Sequence, residues 1–153
     1  MKNIKISIKR ATDAFGVLNT AKYGKLDDAD KIKVWKIARA LNPIAKKFED
    51  DTKDAAEKFK PDGFDEKLAK AQQYEKDKNE GKKDLPMSES EYIDFVGAIR
   101  KYNQLVNNAV NENLGKECEI SFEPISEDAF GKLMASNDWT MEQVMQLGII
   151  IED

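Results

Sequence analysis

Two short stretches of the chain alternate strictly between apolar and polar positions. In NIKISIK, Ile4, Ile6 and Ile8 alternate with Asn3, Lys5, Ser7 and Lys9. Far downstream, in ECEISFEP, Cys118, Ile120 and Phe122 alternate with Glu117, Glu119, Ser121 and Glu123. A period of two is that of a half-buried strand. Each segment would turn an apolar face to a core, one showing lysine outward and the other glutamate. Opposite charges facing each other across strands contribute about 0.2–1 kcal/mol a pair. The two segments are therefore expected to pair, antiparallel, and to join the ends of the chain.

Between them the period changes to that of helices. Thr12 is a candidate cap for a short helix carrying Phe15, Leu18 and Ala21 and ending near Gly24. Asp27, Asp28 and Asp30 crowd the start of the next helix, where the macrodipole favours negative charge. Its apolar positions Val34, Ile37, Leu41, Ile44 and Phe48 follow 3-4-3-4 spacing, continuing to Ala55 and Phe59. Pro43 falls inside this run. Asn42 followed by Pro43 would serve as the start of a new helix, but a new helix would seldom keep the same apolar phase. The unbroken phase points to one long helix bent at Pro43. Ser88-Glu89-Ser90-Glu91 has capping-box spacing and opens a second long amphipathic stripe, from Tyr92 through Phe95, Ile99, Tyr102 and Val106 to Leu114. Short helices are expected after Ser126, with Phe130, Leu133 and Met134, and after Thr140, with Val144 and Leu147, before the apolar tail GIII.

The expected fold is mainly α: an antiparallel pair of long helices, a small two-stranded β ribbon and short C-terminal helices. Residues 1–153 are read as a single domain, with 61–86 a charged arm or insertion within it. That stretch holds few large apolar residues, Leu68 and Tyr74 among them. It is compatible with a helical extension, an exposed arm or a partly disordered segment.

Composition narrows the chemistry. No stretch approaches the ~20 consecutive apolar residues of a membrane span, and MKNIKISIKR lacks the apolar centre of a signal peptide. Cytoplasmic residence and no membrane partner are expected. The chain has one cysteine, Cys118, and no histidine, which leaves no internal disulfide, no cysteine-rich zinc site and no His-based catalysis. Cys118, alternating with Ile120 on the apolar face, reads as a small core residue. Residues 1–45 hold ten Lys/Arg against four Asp, a balance of +6, and residues 112–153 hold two Lys against ten Asp/Glu, a balance of −8. The two ends should attract, and no nucleic-acid footprint stands out.

Carboxylates remain the route to an enzyme. Asp50, Asp51 and Asp54 form a DDxxD, a spacing that can hold magnesium on a helix face. Lys46, Lys47, Lys53 and Lys58 around them favour a solvated face of i,i+4 ion pairs. Glu91-Tyr92-Ile93-Asp94 fits half of the acidic site of small helical pyrophosphohydrolases, but no ExxE supplies the other half. Asp27, Asp28 and Asp30 lack the register of a calcium loop. No catalytic, cofactor or metal residue is assigned. A magnesium-dependent phosphohydrolase using Asp50, Asp51 and Asp54 with Glu91 or Asp94 stays as an alternative. So does an acidic decoy that would occupy a basic protein surface with residues 112–153. Trp35 and Trp139 can serve either core packing or an interface, tryptophan being enriched at binding hot spots. Trp35, Phe59 and Tyr74 are the candidate interface residues.

The order of parts resembles one group of proteins. A short strand and helix lead to a long helix reading AxALNPIAKKFEDDxKD, then come a charged insertion, a helix, a strand of the ECEISFEPI kind and the ending DWTMEQVMQLGIIIED. This is similar to small uncharacterised helical proteins encoded by bacteriophages and prophages near tail and other structural genes. The resemblance covers most of the chain and carries no catalytic residues. It implies a non-catalytic assembly or accessory role in a bacterial host cell, through a protein partner or a homo-oligomer.

Overall fold

The computed structural model describes all of residues 1–153. Strand β1 is Lys2–Ser7 and strand β2 is Glu117–Phe122, with helices α1 (Ile8–Asn19), α2 (Asp28–Phe59), α3 (Phe64–Asn79), α4 (Glu89–Leu114), α5 (Glu127–Ala135) and α6 (Met141–Gln146), and a 3₁₀ turn at Gly148–Ile150. The protein is mainly α, with one two-stranded antiparallel ribbon and short C-terminal helices. The chain divides into two compact units, one of residues 1–51 with 112–153 and one of residues 52–111.

In the first unit the ribbon pairs Ile4 with Ile120 and Ile6 with Cys118 on its inner face, and Lys5 with Glu119 on its outer face. This is the expected register, with Lys5 Nζ 3.3 Å from Glu119. Lys2, on the inner side opposite Phe122, carries its ammonium out to the Ile151 carbonyl at 3.0 Å and the Asp153 carboxylate at 2.9 Å. A single parallel bridge joins Ile125 and Ile151. The core consists of Ile6, Ala11, Ala14, Leu18, Val34, Ile37, Leu41, Ile120, Phe122, Leu133, Leu147 and Ile150 with their neighbours. It thus draws on α1, α2, the ribbon and the C-terminal helices. Its first helix begins earlier than Thr12: Ser7 is the cap, accepting from Arg10 N at 3.1 Å, so Ile8 opens α1 instead of extending the strand. Asp27 caps α2 by accepting from Asp30 N at 2.8 Å. Ser126 caps α5, and Thr140 with Gln143 forms a complete capping box on α6.

Helix α2 runs unbroken through Pro43, whose ring is exposed. Continuity of the apolar phase therefore outweighs the loss of one backbone donor. Helices α2 and α4 are antiparallel, as two hydrogen bonds record: Tyr102 Oη donates to the Ala56 carbonyl at 2.8 Å, and Asn113 Nδ2 to Asp51 at 3.4 Å.

In the second unit, residues 61–86 take the helical form among those the sequence left open, with part of the helix buried in a small core. Residues 64–79 are helix α3, preceded by Gly63 at φ 69°, a left-handed conformation that glycine adopts without a Cβ penalty. Its Ala71 and Tyr74 are buried with Met87 and Phe95, and Phe64, Leu68, Leu85, Tyr92 and Ile99 pack around them. Phe64 lies with its ring centroid 5.7 Å from Phe95 and 5.2 Å from Tyr102, and Tyr74 stacks on Tyr92 at 4.5 Å. These aromatic contacts compensate for a polar sequence. Asp77, also buried, accepts from Gln73 Nε2 at 2.7 Å and Lys82 Nζ at 3.4 Å.

Candidate functional site

The acidic groups come first because an enzyme would depend on them. On α2, Asp51 accepts from Lys47 Nζ at 2.8 Å, one turn away, and from Asn113 Nδ2. The hydrogen bond from Lys47 holds the Asp51 carboxyl below its ordinary range and pushes the Lys47 ammonium up. Asp50 and Asp54 are exposed. Nowhere do three or more Cys, Asp or Glu side chains gather in a geometry that could hold a metal ion. Glu91 and Asp94 lie on α4 along a groove whose other residues include Lys67, Lys70, Met87 and Phe95. Ser88 caps that helix, accepting from Glu91 N at 3.1 Å. Of the three DDxxD acids, Asp51 is thus committed to the lysine one turn before it, and Asp50 and Asp54 stand on the helix surface.

The three candidate interface residues are placed very differently. Tyr74 is 2 % exposed, its ring enclosed by its own unit, so the expectation that it contacts a partner is corrected. Phe59 is half-buried at the end of α2, with Lys58 Nζ 5.4 Å over its ring. Trp35 is 57 % exposed. It stands beside the Val34–Ile37–Leu41 seam, which is fully buried. Trp139, by contrast, packs against the core.

Around Trp35 the structure builds a coherent surface within the first unit. Ile32, one turn earlier, is 53 % exposed. The Arg39 guanidinium lies 5.3 Å from the centroid of the Trp35 ring, a cation–π contact across one helical turn. An open groove of about 350 Å³ runs alongside, lined by Phe15, Leu18 and Asn19 of α1, by Tyr23, and by Trp35, Ala38, Arg39 and Asn42 of α2. Tyr23 holds one wall rigid: its hydroxyl donates to the Leu18 carbonyl at 3.0 Å, and partial burial pushes its pKa up. Lys31 and Lys36 are neighbours of Ile32 and Trp35 on the helix surface and, like Arg39, are in no ion pair within 4 Å.

Reading the sequence for its main seam left Ile32 unnoticed. The signal was present, since Ile32, Trp35 and Arg39 follow 3-4 spacing on a second stripe rotated from the core seam. Met141 and Met145, four apart on α6, were also missed; they are 73 % and 69 % exposed. No helix of the protein is long and apolar enough to cross a membrane. No protein-family model, curated protein or solved structure matches this chain.

Proposed function

We propose that this chain is a non-catalytic protein–protein interaction module with an assembly or accessory role, of the kind the resemblance to bacteriophage and prophage proteins implies. The observation that carries this reading is the surface centred on Trp35. Two large apolar side chains stand out from helix α2 beside a groove, bordered by Lys31, Lys36 and Arg39, which are in no ion pair within 4 Å. Tryptophan and arginine are the residues on which binding energy concentrates, and large exposed apolar side chains grouped in one patch mark interaction sites. The cation–π contact with Arg39 keeps the indole ordered before a partner arrives, so less side-chain freedom is lost on binding.

The carboxylate alternative draws less support. Asp51 is held by Lys47 and Asn113, and Asp50 and Asp54 face solvent without a facing acidic partner set. The decoy alternative also loses part of its basis. Asp153, Glu119 and Glu123 of the acidic segment pair with Lys2, Lys5 and Lys33 of the same chain.

Site-specific photo-crosslinking tests the proposal. A crosslinking residue replaces Trp35 in one variant and exposed Lys101 of α4 in a control. In cells carrying the chain in its native genetic setting, position 35 is expected to give adducts of discrete mass and position 101 none of them. No adducts from position 35, or the same set from both positions, would overturn the reading.

A further inference from the structure

Resting on that reading, we infer that the partner of the Trp35 surface is a second copy of this chain, presenting the exposed methionine face of α6. The argument is complementarity of both shape and charge. On α2, Ile32 and Trp35 are bordered by Lys31, Lys36 and Arg39, and Asp28 is the one carboxylate on the same stripe. On α6, Met141 and Met145 point outward on one face, with Glu142 between them and Asp138 just before the helix. Glu142 and Asp138 are in no ion pair within 4 Å, and Lys9, the cation facing Glu142, is held by Asp13 at 2.8 Å. One surface is thus apolar with unpaired positive charge and the other apolar with unpaired negative charge.

The two surfaces cannot satisfy each other within one chain in this structure. The groove beside Trp35 is walled by α1, Tyr23 and α2, and no residue of α6 lines it. Methionine suits such a groove because its unbranched, polarizable side chain adapts to irregular gaps and makes favourable sulfur–aromatic contacts. Met141 or Met145 of one copy enters the groove against the Trp35 ring of the next, while Glu142 and Asp138 meet Lys36 and Arg39. The contacting patches are different, so the association is either a reciprocal dimer or a head-to-tail ring or chain.

Charge reversal in pairs tests this on the full-length protein, with light scattering across a concentration series at moderate salt. The wild type is expected to associate. Lys36→Glu with Arg39→Glu, and separately Asp138→Lys with Glu142→Lys, are each expected to weaken self-association by about tenfold or more. Mixing the two variants is expected to restore it, because each reversed patch then finds an opposite patch on the other variant. Misfolding or loss of a merely structural role would not recover on mixing. A wild type that stays monomeric throughout overturns this inference, while adducts from position 35 to a different protein would leave the proposed function standing. A wild type that associates as strongly with either pair reversed also overturns it, since the contact then lies elsewhere.

Discussion

Tyr74→Ala is the sharpest probe of the second unit, because the polar stretch around it gave so little reason to expect a packed helix. The side chain is 2 % exposed and stacks on Tyr92 with centroids 4.5 Å apart. Truncating a fully buried aromatic to alanine costs about 3–5 kcal/mol in lost transfer energy and residual cavity. The stacking geometry itself accounts for about 0.5–1.5 kcal/mol of that. The cavity would open between α3 and α4 in a core whose buried members number only four, Ala71, Tyr74, Met87 and Phe95. Little surrounding apolar mass can collapse into it, which argues for a cost near 4 kcal/mol, a large share of a domain's total stability of about 5–15 kcal/mol. Tyr74→Phe is the control. The hydroxyl is not a buried unsatisfied group, so its removal should change stability by less than about 0.5 kcal/mol. Urea unfolding reads the free energies, and hydrogen exchange resolves where they act: amides of 64–79 and 89–99 should lose protection in Tyr74→Ala before those of the ribbon do. If Tyr74→Ala unfolds within about 1 kcal/mol of the wild type, or if wild-type amides of 64–79 exchange as an unfolded chain, α3 is not packed and the reasoning fails.

Pro43→Ala should stabilise the protein by about 1–2 kcal/mol: the substitution restores the donor to the Arg39 carbonyl in an exposed helix interior, against a smaller loss from a freer unfolded chain. A lower urea midpoint for Pro43→Ala would sink that account. Cys118, whose thiol donates to the Ile6 carbonyl at 3.4 Å, is held above the ordinary thiol range by burial. A raised folded pKa contributes stability below the unfolded value of about 8.5 and loses it as pH rises through the folded value, so alkaline conditions weaken the ribbon. Iodoacetamide should therefore label native Cys118 more slowly than the urea-unfolded chain at pH 8, and equal rates would contradict the burial.

Much of the architecture was legible because the features that signalled it are local. The two alternating segments carried their own faces, and complementary lysine and glutamate pointed to their pairing; the observed Lys5–Glu119 contact is that pairing in atoms. Helix caps at Ser126 and Thr140 are likewise short-range chemistry. The start of α1 misled for a reason equally local. Ile8 continues the alternation, but Ser7 directly before it can cap, and that cap outcompetes one more strand residue. Residues 64–79 left several forms open because their core contribution is sparse and aromatic. Phe64, Leu68, Ala71 and Tyr74 do lie at 4-3-3 spacing, yet only contacts with Met87, Phe95 and Tyr92, well separated in the chain, turn that weak stripe into a buried face. The site was half legible. Trp35 could be placed beside the seam from spacing alone, whereas which of Trp35 and Trp139 faces outward depends on tertiary packing.

The uneven charge of the chain bears on how its surfaces would work. Part of it is spent inside the fold, where Lys2, Lys5 and Lys33 meet Asp153, Glu119 and Glu123. Exposed pairs of this kind contribute little each, typically under about 1 kcal/mol. They orient the ends of the chain without providing its stability, which rests on the buried apolar cluster. The same reasoning applies between copies. Around 0.15 M salt the Debye length is about 8 Å, so Lys31, Lys36 and Arg39 gain little from acids across the same molecule unless these come into contact. Contact with Glu142 and Asp138 of another copy would set register and speed of encounter, while Ile32, Trp35, Met141 and Met145 supply most of the affinity. Salt would then slow association more than it speeds dissociation, a kinetic signature that an interface held by charge alone would not give.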